Sequence, residues 1–359
     1  MRRRWRGFST DCLTYKEFKN MSQKKYRVAV VGATGAVGHA LLEILAERKF
    51  PLSELIPLAS ERTAGSRIKF ENQMLLVLPL ETFDFAGIDF AFFSAGGAVS
   101  KAHAPRAVAA GATVIDNTSE FRMDPAVPLI VSEVNGHVLA DFKAPGIIAN
   151  PNCSTMQMMV ALGPLHRAAK ILRINVATYQ SASGAGVKAM EELAQQSAAL
   201  LSFQKPAIEK FPVQLAFNLI PHIGDFQDNG YTSEEMKLVF ETRKILEDES
   251  IQVNPTVVRV PVFFGHSEAV HIETERKLSA DAARKLLKKA PGIKVVDEHK
   301  AKGYPTPVTH AAGKDPVFVG RIREDISHPR GLNLWIVADN IRKGAALNAV
   351  QIAELLVKA

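Results

Sequence analysis

The chain has 359 residues, 47% of them hydrophobic and 23% charged, and a net charge of +7. That length supports two packed domains, and the two cysteines exclude a disulfide framework and fit a reducing compartment. No metal-ligand spacing and no run of about 18 apolar residues is present, so neither a metal nor a membrane span is expected.

Much of the positive charge sits at the start. Arg2, Arg3, Arg4, Arg6, Lys16 and Lys19 face only Asp11 and Glu17. The remaining excess is mild. It suits anionic small molecules and leaves no nucleic-acid footprint. Residues 1–21 lack the apolar core of a secretory signal and carry acids that transit peptides avoid. They read as a disordered extension before Met21, with Cys12 of no consequence. A cytoplasmic location is expected, with organelle targeting as the alternative if the extension is a genuine transit segment.

Tyr26–Val31 (YRVAVV) is short, apolar and β-branched, the mark of a strand buried on both faces. It runs into Gly32, Gly35 and Gly38 at Gly-x-x-Gly-x-x-Gly spacing, and then into a segment with Leu41, Leu42 and Leu45 at helical intervals. Strand, glycine turn and helix in this order suit a dinucleotide, because small residues let backbone N–H groups approach a pyrophosphate. A second strand is predicted at 54–60. It ends at Glu61, Arg62 and Thr63, where a ribose-binding acid would mark NAD. Arginine with hydroxyls matches a 2′-phosphate better, so NADP is expected, with Glu61 pointing to solvent. Strands at 89–97 and 113–119 continue a βαβ rhythm, which implies a parallel sheet with ligands at its carboxyl edge.

Cys153 lies between strand-like GIIA and a helical segment opening at Ser154. The partial positive charge of a helix N-terminus stabilises a thiolate, so a lowered pKa and a nucleophilic role are predicted. The competing reading is a small buried hydrophobe. QSASGAG (180–186) is a polar loop after a strand, and Gln180 there can orient an acyl carbonyl. Residues 233–246 are helical, with Glu234 and Lys237 on one face. Residues 257–274 alternate as a strand would and carry Arg259 and His266. Buried arginine needs an anion, and histidine suits proton transfer near neutrality. The basic run 283–294 reads as a solvated helix face, and 213–223 as core or interface.

Over roughly 25–357 the chain resembles the aspartate-semialdehyde dehydrogenase family. The stretches that carry the likeness are VAVVGATGAVG, LASERTAGS, FSAGG, DNTSEFRMD, NPNCSTMQ, QSASGAG, EEMKLVFET, VRVPV with GHSE, and DNIRKGAALNA. The resemblance implies an α/β fold: a Rossmann-like parallel-sheet NADP-binding domain at 22–150 and an α+β catalytic and dimerisation domain at 151–339. A C-terminal helix, 340–359, would return to the first domain.

The implied reaction is NADPH-dependent reductive dephosphorylation of 4-aspartyl phosphate, which serves the biosynthesis of lysine, threonine, methionine and diaminopimelate. By motif match Cys153 would be the nucleophile, Gln180 would position the acyl group, and His266 would be the general acid and base. Arg259 would hold the substrate α-carboxylate and Glu234 its amino group. Arg122 and Lys237 would bind phosphate, with Asn152 also at the substrate. Gly32, Thr34, Gly35, Ala36, Val37, Arg62, Thr63, Ser94, Gly96, Ser183, Gly184 and Asn340 would contact NADP. A homodimer is expected by the same analogy. The alternatives are other reductases of this scaffold, such as malonyl-coenzyme-A reductase, or a non-catalytic NADP-binding relative. N-acetyl-glutamyl-phosphate reductase resembles a motif with glycine before the cysteine, where Asn152 stands here.

Overall fold

The computed structural model describes residues 24–358. The expectations for residues 1–21, Cys12 included, lie outside the described residues.

The first domain is built on a six-stranded sheet. Its strands are β1 (Tyr26–Val31), β2 (Leu52–Ala59), β5 (Leu78–Pro79), β6 (Phe90–Phe93), β7 (Thr113–Asp116) and β8 (Ile147–Ala149), with a hairpin of β3 (Arg67–Phe70) and β4 (Gln73–Leu76) beside them. The order is β5-β2-β1-β6-β7-β8 and every pairing is parallel. The winding reverses between β1 and β6, so the carboxyl edge opens a crevice there. Helix α1 (Ala36–Glu47) follows the glycine turn and α2 (Gly97–Ala109) follows β6. A Cβ on Gly38 would lie 2.2 Å from the Gly32 carbonyl oxygen, so only glycine lets α1 start this close to the strand.

The second domain carries a mixed sheet of β9 (Ile171–Gln180), β10 (Gln252–Arg259), β11 (His266–Thr274), β12 (Ile293–Val295), β13 (Val317–Glu324) and β14 (Gly331–Ala338), ordered β10-β9-β11-β14-β13-β12. Between the domains runs α3 (Ser132–Asn135) and then α4 (Cys153–Ala169). Helix α4 is apolar on most of its circumference, as a helix enclosed on all sides must be. Its Met158, Met159, Leu162 and Leu165 pack with Val176, Val270, Ile272 and Ile336 of the sheet and with Leu238 and Ile245 of α6 (Ser233–Leu246).

Helix α5 (Val187–Leu201) packs Ala189 and Leu193 against Leu215, Ala216 and Ile220, while Val213, Phe217 and Leu219 stay exposed. The 213–223 segment thus has both a core and an outward apolar face. On α7 (Ala280–Lys289), Ala283 and Leu287 are buried and Lys285, Lys288 and Lys289 exposed, so its basic run is a solvated face.

Two details differ from the sequence reading. The alternating run 257–274 is two strands: Pro261 has no N–H for a ladder, and Gly265 takes φ +86° and donates to Asn340 Oδ1 at 3.0 Å. The break leaves Arg259 at the end of β10 and His266 at the start of β11. The last helix, α8, spans Leu347–Lys358 and follows a π-helical turn at Arg342–Ala346. Asp339 bends the chain before that turn by accepting the Ile341 and Arg342 N–H groups at 2.8 and 2.9 Å. Val350, Ile352 and Ala353 of α8 then pack with Val28, Val30, Leu41 and Leu45 of the first domain.

Candidate active site

Helix α4 begins at Cys153 because Asn152 caps it. The Asn152 side-chain oxygen accepts the N–H groups of Ser154 and Thr155 at 3.0 and 3.2 Å, which satisfies two of the helix's orphan donors. Its amide nitrogen donates to Glu234 Oε1 at 2.7 Å. Cys153 is half-buried and lines a cleft of about 1140 Å³ between the domains.

One end of this cleft is formed by Thr34, Gly35, Ala36, Val37, Arg62, Thr63, Ser94 and Gly96 at the β1/β6 crevice. The other end gathers Arg122, Asn152, Gln180, Glu234, Lys237 and Arg259, and Ser183, Gly184 and Asn340 lie on the wall. Two residues named from the sequence do not line it. Gly32 turns away at φ +84° behind Ser94, so it shapes the turn without facing the cleft. His266 is fully buried behind Gly184. A Cβ on Gly184 would lie 3.1 Å from Arg259 Nη1 and 3.2 Å from His266 Nε2, so any side chain there would press on both. Glu61 is exposed and outside the cleft lining.

The polar end is held by short bonds. Arg259 Nη1 donates to the Ser181 carbonyl at 2.7 Å. Lys237 Nζ donates to Glu234 Oε2 at 2.8 Å, and Gln180 Nε2 to Thr178 Oγ1 at 3.3 Å. Asn340 Oδ1 lies 3.0 Å from Ser181 Oγ and 3.2 Å from Ser183 Oγ, so Asn340 ties the 180–186 loop to the end of β14. The Ser181 backbone N–H donates to His266 Nδ1 at 3.1 Å. A backbone N–H is always a donor, so Nδ1 must accept and the neutral ring carries its proton on Nε2. That Nε2 has no hydrogen-bond partner among the described residues.

The electrostatics correct one expectation. Burial, with the Glu234 carboxylate adding to it, pushes the Cys153 thiol up to about 12, against the downward pull of Arg259, Arg122 and Lys237. The pKa is raised where the helix start led us to expect a lowered one, and the ligand-free group is a thiol. Burial and the Arg259 charge lower His266 to about 3. The pair therefore rests as thiol and neutral imidazole. Alkylation of Cys153 by iodoacetamide, followed by peptide mass, should rise about tenfold per pH unit from neutrality without a plateau below pH ~10, as a thiolate fraction does under a raised pKa. Glu234→Gln removes a negative neighbour, so its profile should shift to lower pH; a plateau near neutrality in the parent protein would show a stabilised thiolate instead.

Several cleft residues were not picked out from the sequence. Asn117, Thr118 and Ser119 line the cleft next to Arg122, and Asp116 shapes their turn by accepting from Thr118 N and Oγ1 at 3.0 and 2.7 Å. Lys188 and Lys210 also face it. Glu241 lies behind it, and its signal was present: 234, 237 and 241 share one helical face. Glu268, two residues after His266 on β11, is fully buried with neither carboxyl oxygen in hydrogen-bond geometry. Burial raises its pKa well above the usual range, though the Gln157 amide pulls the other way, and so favours the protonated carboxyl.

Among the described residues no group of three or more His, Cys, Asp or Glu is placed to hold a metal ion, and no helix is long and apolar enough to cross a membrane.

A doubly wound parallel sheet, a glycine turn at its switch point and a cysteine at a helix start across the same cleft define a two-domain, dinucleotide-binding dehydrogenase. Comparison with known proteins makes this specific. Residues 27–142 match the semialdehyde dehydrogenase NAD binding domain, and 162–343 the semialdehyde dehydrogenase dimerisation domain. The chain is 60% identical to the aspartate-semialdehyde dehydrogenase of Legionella pneumophila, over 92% of this chain and 95% of that one. The crystal structure of aspartate semialdehyde dehydrogenase II from Vibrio cholerae, complexed with ASA, is 54% identical, with a TM-score of 0.91 over 93% of this chain and 99% of that chain. The Candida albicans enzyme solved with NADP is 25% identical, with a TM-score of 0.70 over 93% and 99%. The chain belongs to the aspartate-semialdehyde dehydrogenase family.

Proposed function

We propose that this chain reduces 4-aspartyl phosphate to aspartate 4-semialdehyde and phosphate with NADPH, through a thioester on Cys153. The observation that carries the reading is a single cleft lined by the dinucleotide turn, Cys153, the cations Arg122, Lys237 and Arg259, and Glu234.

The residues fit the cofactor. Helix α1 has no side-chain cap, which leaves the backbone N–H groups of its first turn for phosphate oxygens. Arg62 and Thr63 line the same cleft and would take a 2′-phosphate. Bound NADPH supplies a hydride to the thioester carbon.

The substrate's own charges would tune the resting pair. Glu234 raises the thiol pKa and Arg259 depresses that of the imidazole. An α-ammonium on Glu234 and an α-carboxylate on Arg259 would neutralise both effects and move the pair toward thiolate and imidazolium. The sulfur attacks the acyl carbon, the carbon–oxygen bond to phosphorus breaks, and phosphate leaves with the electron pair, held by Arg122 and Lys237. No metal is needed, because an acyl phosphate already has a good leaving group. After reduction, the hemithioacetal oxyanion collapses to aldehyde and thiolate, and the proton transfers are assigned to His266, whose Nε2 lies next to Gly184 of the cleft wall. Covalent catalysis divides one hard reduction into two easier steps.

The test is phosphate-dependent NADP reduction with aspartate semialdehyde, repeated with NAD, beside an arm that offers malonyl-coenzyme A and NADPH. Activity that requires phosphate and prefers NADP supports the proposal. Turnover of the thioester substrate alone would overturn it. We further propose a homodimer through the second domain, supported by the dimerisation-domain match and the exposed Phe203, Phe217 and Phe226, and a cytoplasmic location, where a catalytic thiol stays reduced.

A further inference from the structure

We infer that Glu241 is a positioning residue that locks the phosphate-binding cation to the turn carrying the nucleophile. The inference rests on the reading that Arg122 takes the phosphate.

Glu234, Lys237, Glu241 and Lys244 follow at intervals that put all four on one face of α6. Glu241 is 1% exposed and Arg122 7% exposed. One Glu241 oxygen accepts from Arg122 Nη1 at 2.9 Å, and the other accepts the Asn152 backbone N–H at 2.7 Å. Asn152 immediately precedes Cys153 and caps its helix. A single carboxylate thus spans the guanidinium and the nucleophile's turn. Arg122 is fixed further by Nη2 on the Asn117 carbonyl at 2.8 Å, while its Nε has no partner among the described residues. That leaves this one donor of the guanidinium uncommitted. Lys244, one turn further along α6, donates to the carbonyls of Arg122, Asp124 and Val127 at 2.8, 2.7 and 2.9 Å, so the same helix also grips the loop that presents Arg122.

The neighbouring pair behaves differently. The Lys237 side chain is 32% exposed in its bond to Glu234. It can exchange that partner for phosphate, whereas Arg122 cannot leave Glu241 without stranding a buried charge. A buried ion pair is weak evidence for stability, because desolvation offsets its attraction. Its use here is registration: the separation between the anion and the sulfur is set by one rigid carboxylate.

The test uses the full chain in the phosphate-dependent direction. Glu241→Gln keeps the side-chain size but loses the charge and one of the two acceptors. Its KM for phosphate should rise about tenfold, with the KM values for NADP and semialdehyde within about twofold and a smaller change in kcat. Arg122→Lys alone should also raise the phosphate KM. Adding Glu241→Gln to Arg122→Lys should cost less than about twofold more, because a residue acting through another is non-additive with it. Thermal unfolding with NADP checks folding, and if Glu241→Gln does not fold, Glu241→Asp is read by the same comparison with a rise of about threefold.

Additive effects, or equal losses for all three substrates, would reduce Glu241 to a structural role and overturn the inference. A phosphate KM that responds to Arg122→Lys but not to Glu241→Gln would also overturn it, while leaving the function standing. If neither substitution moves the phosphate KM, the phosphate site itself is misplaced and both readings fall.

Discussion

Replacing Cys153 by alanine is expected to remove turnover, with a loss on the order of 10⁴–10⁶-fold in kcat, as removal of a covalent nucleophile does. Cofactor affinity should hold within a few-fold, because the residues at the β1/β6 crevice are untouched. Alanine also fits the local structure. Cys153 opens α4 through its backbone, and the cap comes from Asn152, so folding is preserved. The decisive measurement pairs steady-state rates with intact mass after incubation with semialdehyde and NADP in the absence of phosphate. The parent protein should accumulate an acyl adduct and the variant none. A variant with full turnover would remove the thioester from the mechanism.

His266→Asn should cost roughly 10²–10⁴-fold in kcat, the usual worth of a positioned acid or base. Asparagine is the informative replacement, because its side-chain oxygen can still accept the Ser181 N–H that Nδ1 receives. The loop then keeps its shape while the proton on Nε2 is lost. NADP affinity should change by less than about threefold, since His266 lies behind the cleft wall. Unchanged kcat would remove its acid and base role. The resting His266 is held near 3 by burial and Arg259, so an acidic limb near neutrality in the parent profile does not belong to the resting imidazole.

Elements whose period matches their burial were legible from the sequence. β1 reads as Tyr26–Val31 and α6 as Ser233–Leu246 because continuous apolar character and helical spacing are local signals. The break between Arg259 and His266 was obscured by alternation that continues through Pro261, and only the Gly265 to Asn340 bond shows why the chain turns. Cys153 was legible as a helix start, but its charge state was not. The helix terminus is a local property, whereas the burial and the Glu234 charge that raise the thiol pKa come from residues far along the chain. For Glu241 the helical face shared with Glu234 and Lys237 was legible, but its partners Arg122 and Asn152 were not, because they come from two other segments. Lys210 lies in an irregular stretch without periodicity, and nothing local marks it for the cleft.

The buried Glu268 of β11 has a bearing on alkaline tolerance. A carboxyl held neutral in the native chain ionises freely once unfolded, so above pH ~4.3 the unfolded state sheds a proton that the native state keeps. Native stability should then erode by about 1.4 kcal/mol per pH unit until the raised native pKa is reached. Glu268→Gln, which keeps the shape without the proton, should gain on the parent protein by that slope in denaturant titrations from mildly acidic to neutral buffer. An equal difference at every pH would mean the acid is already ionised in its pocket.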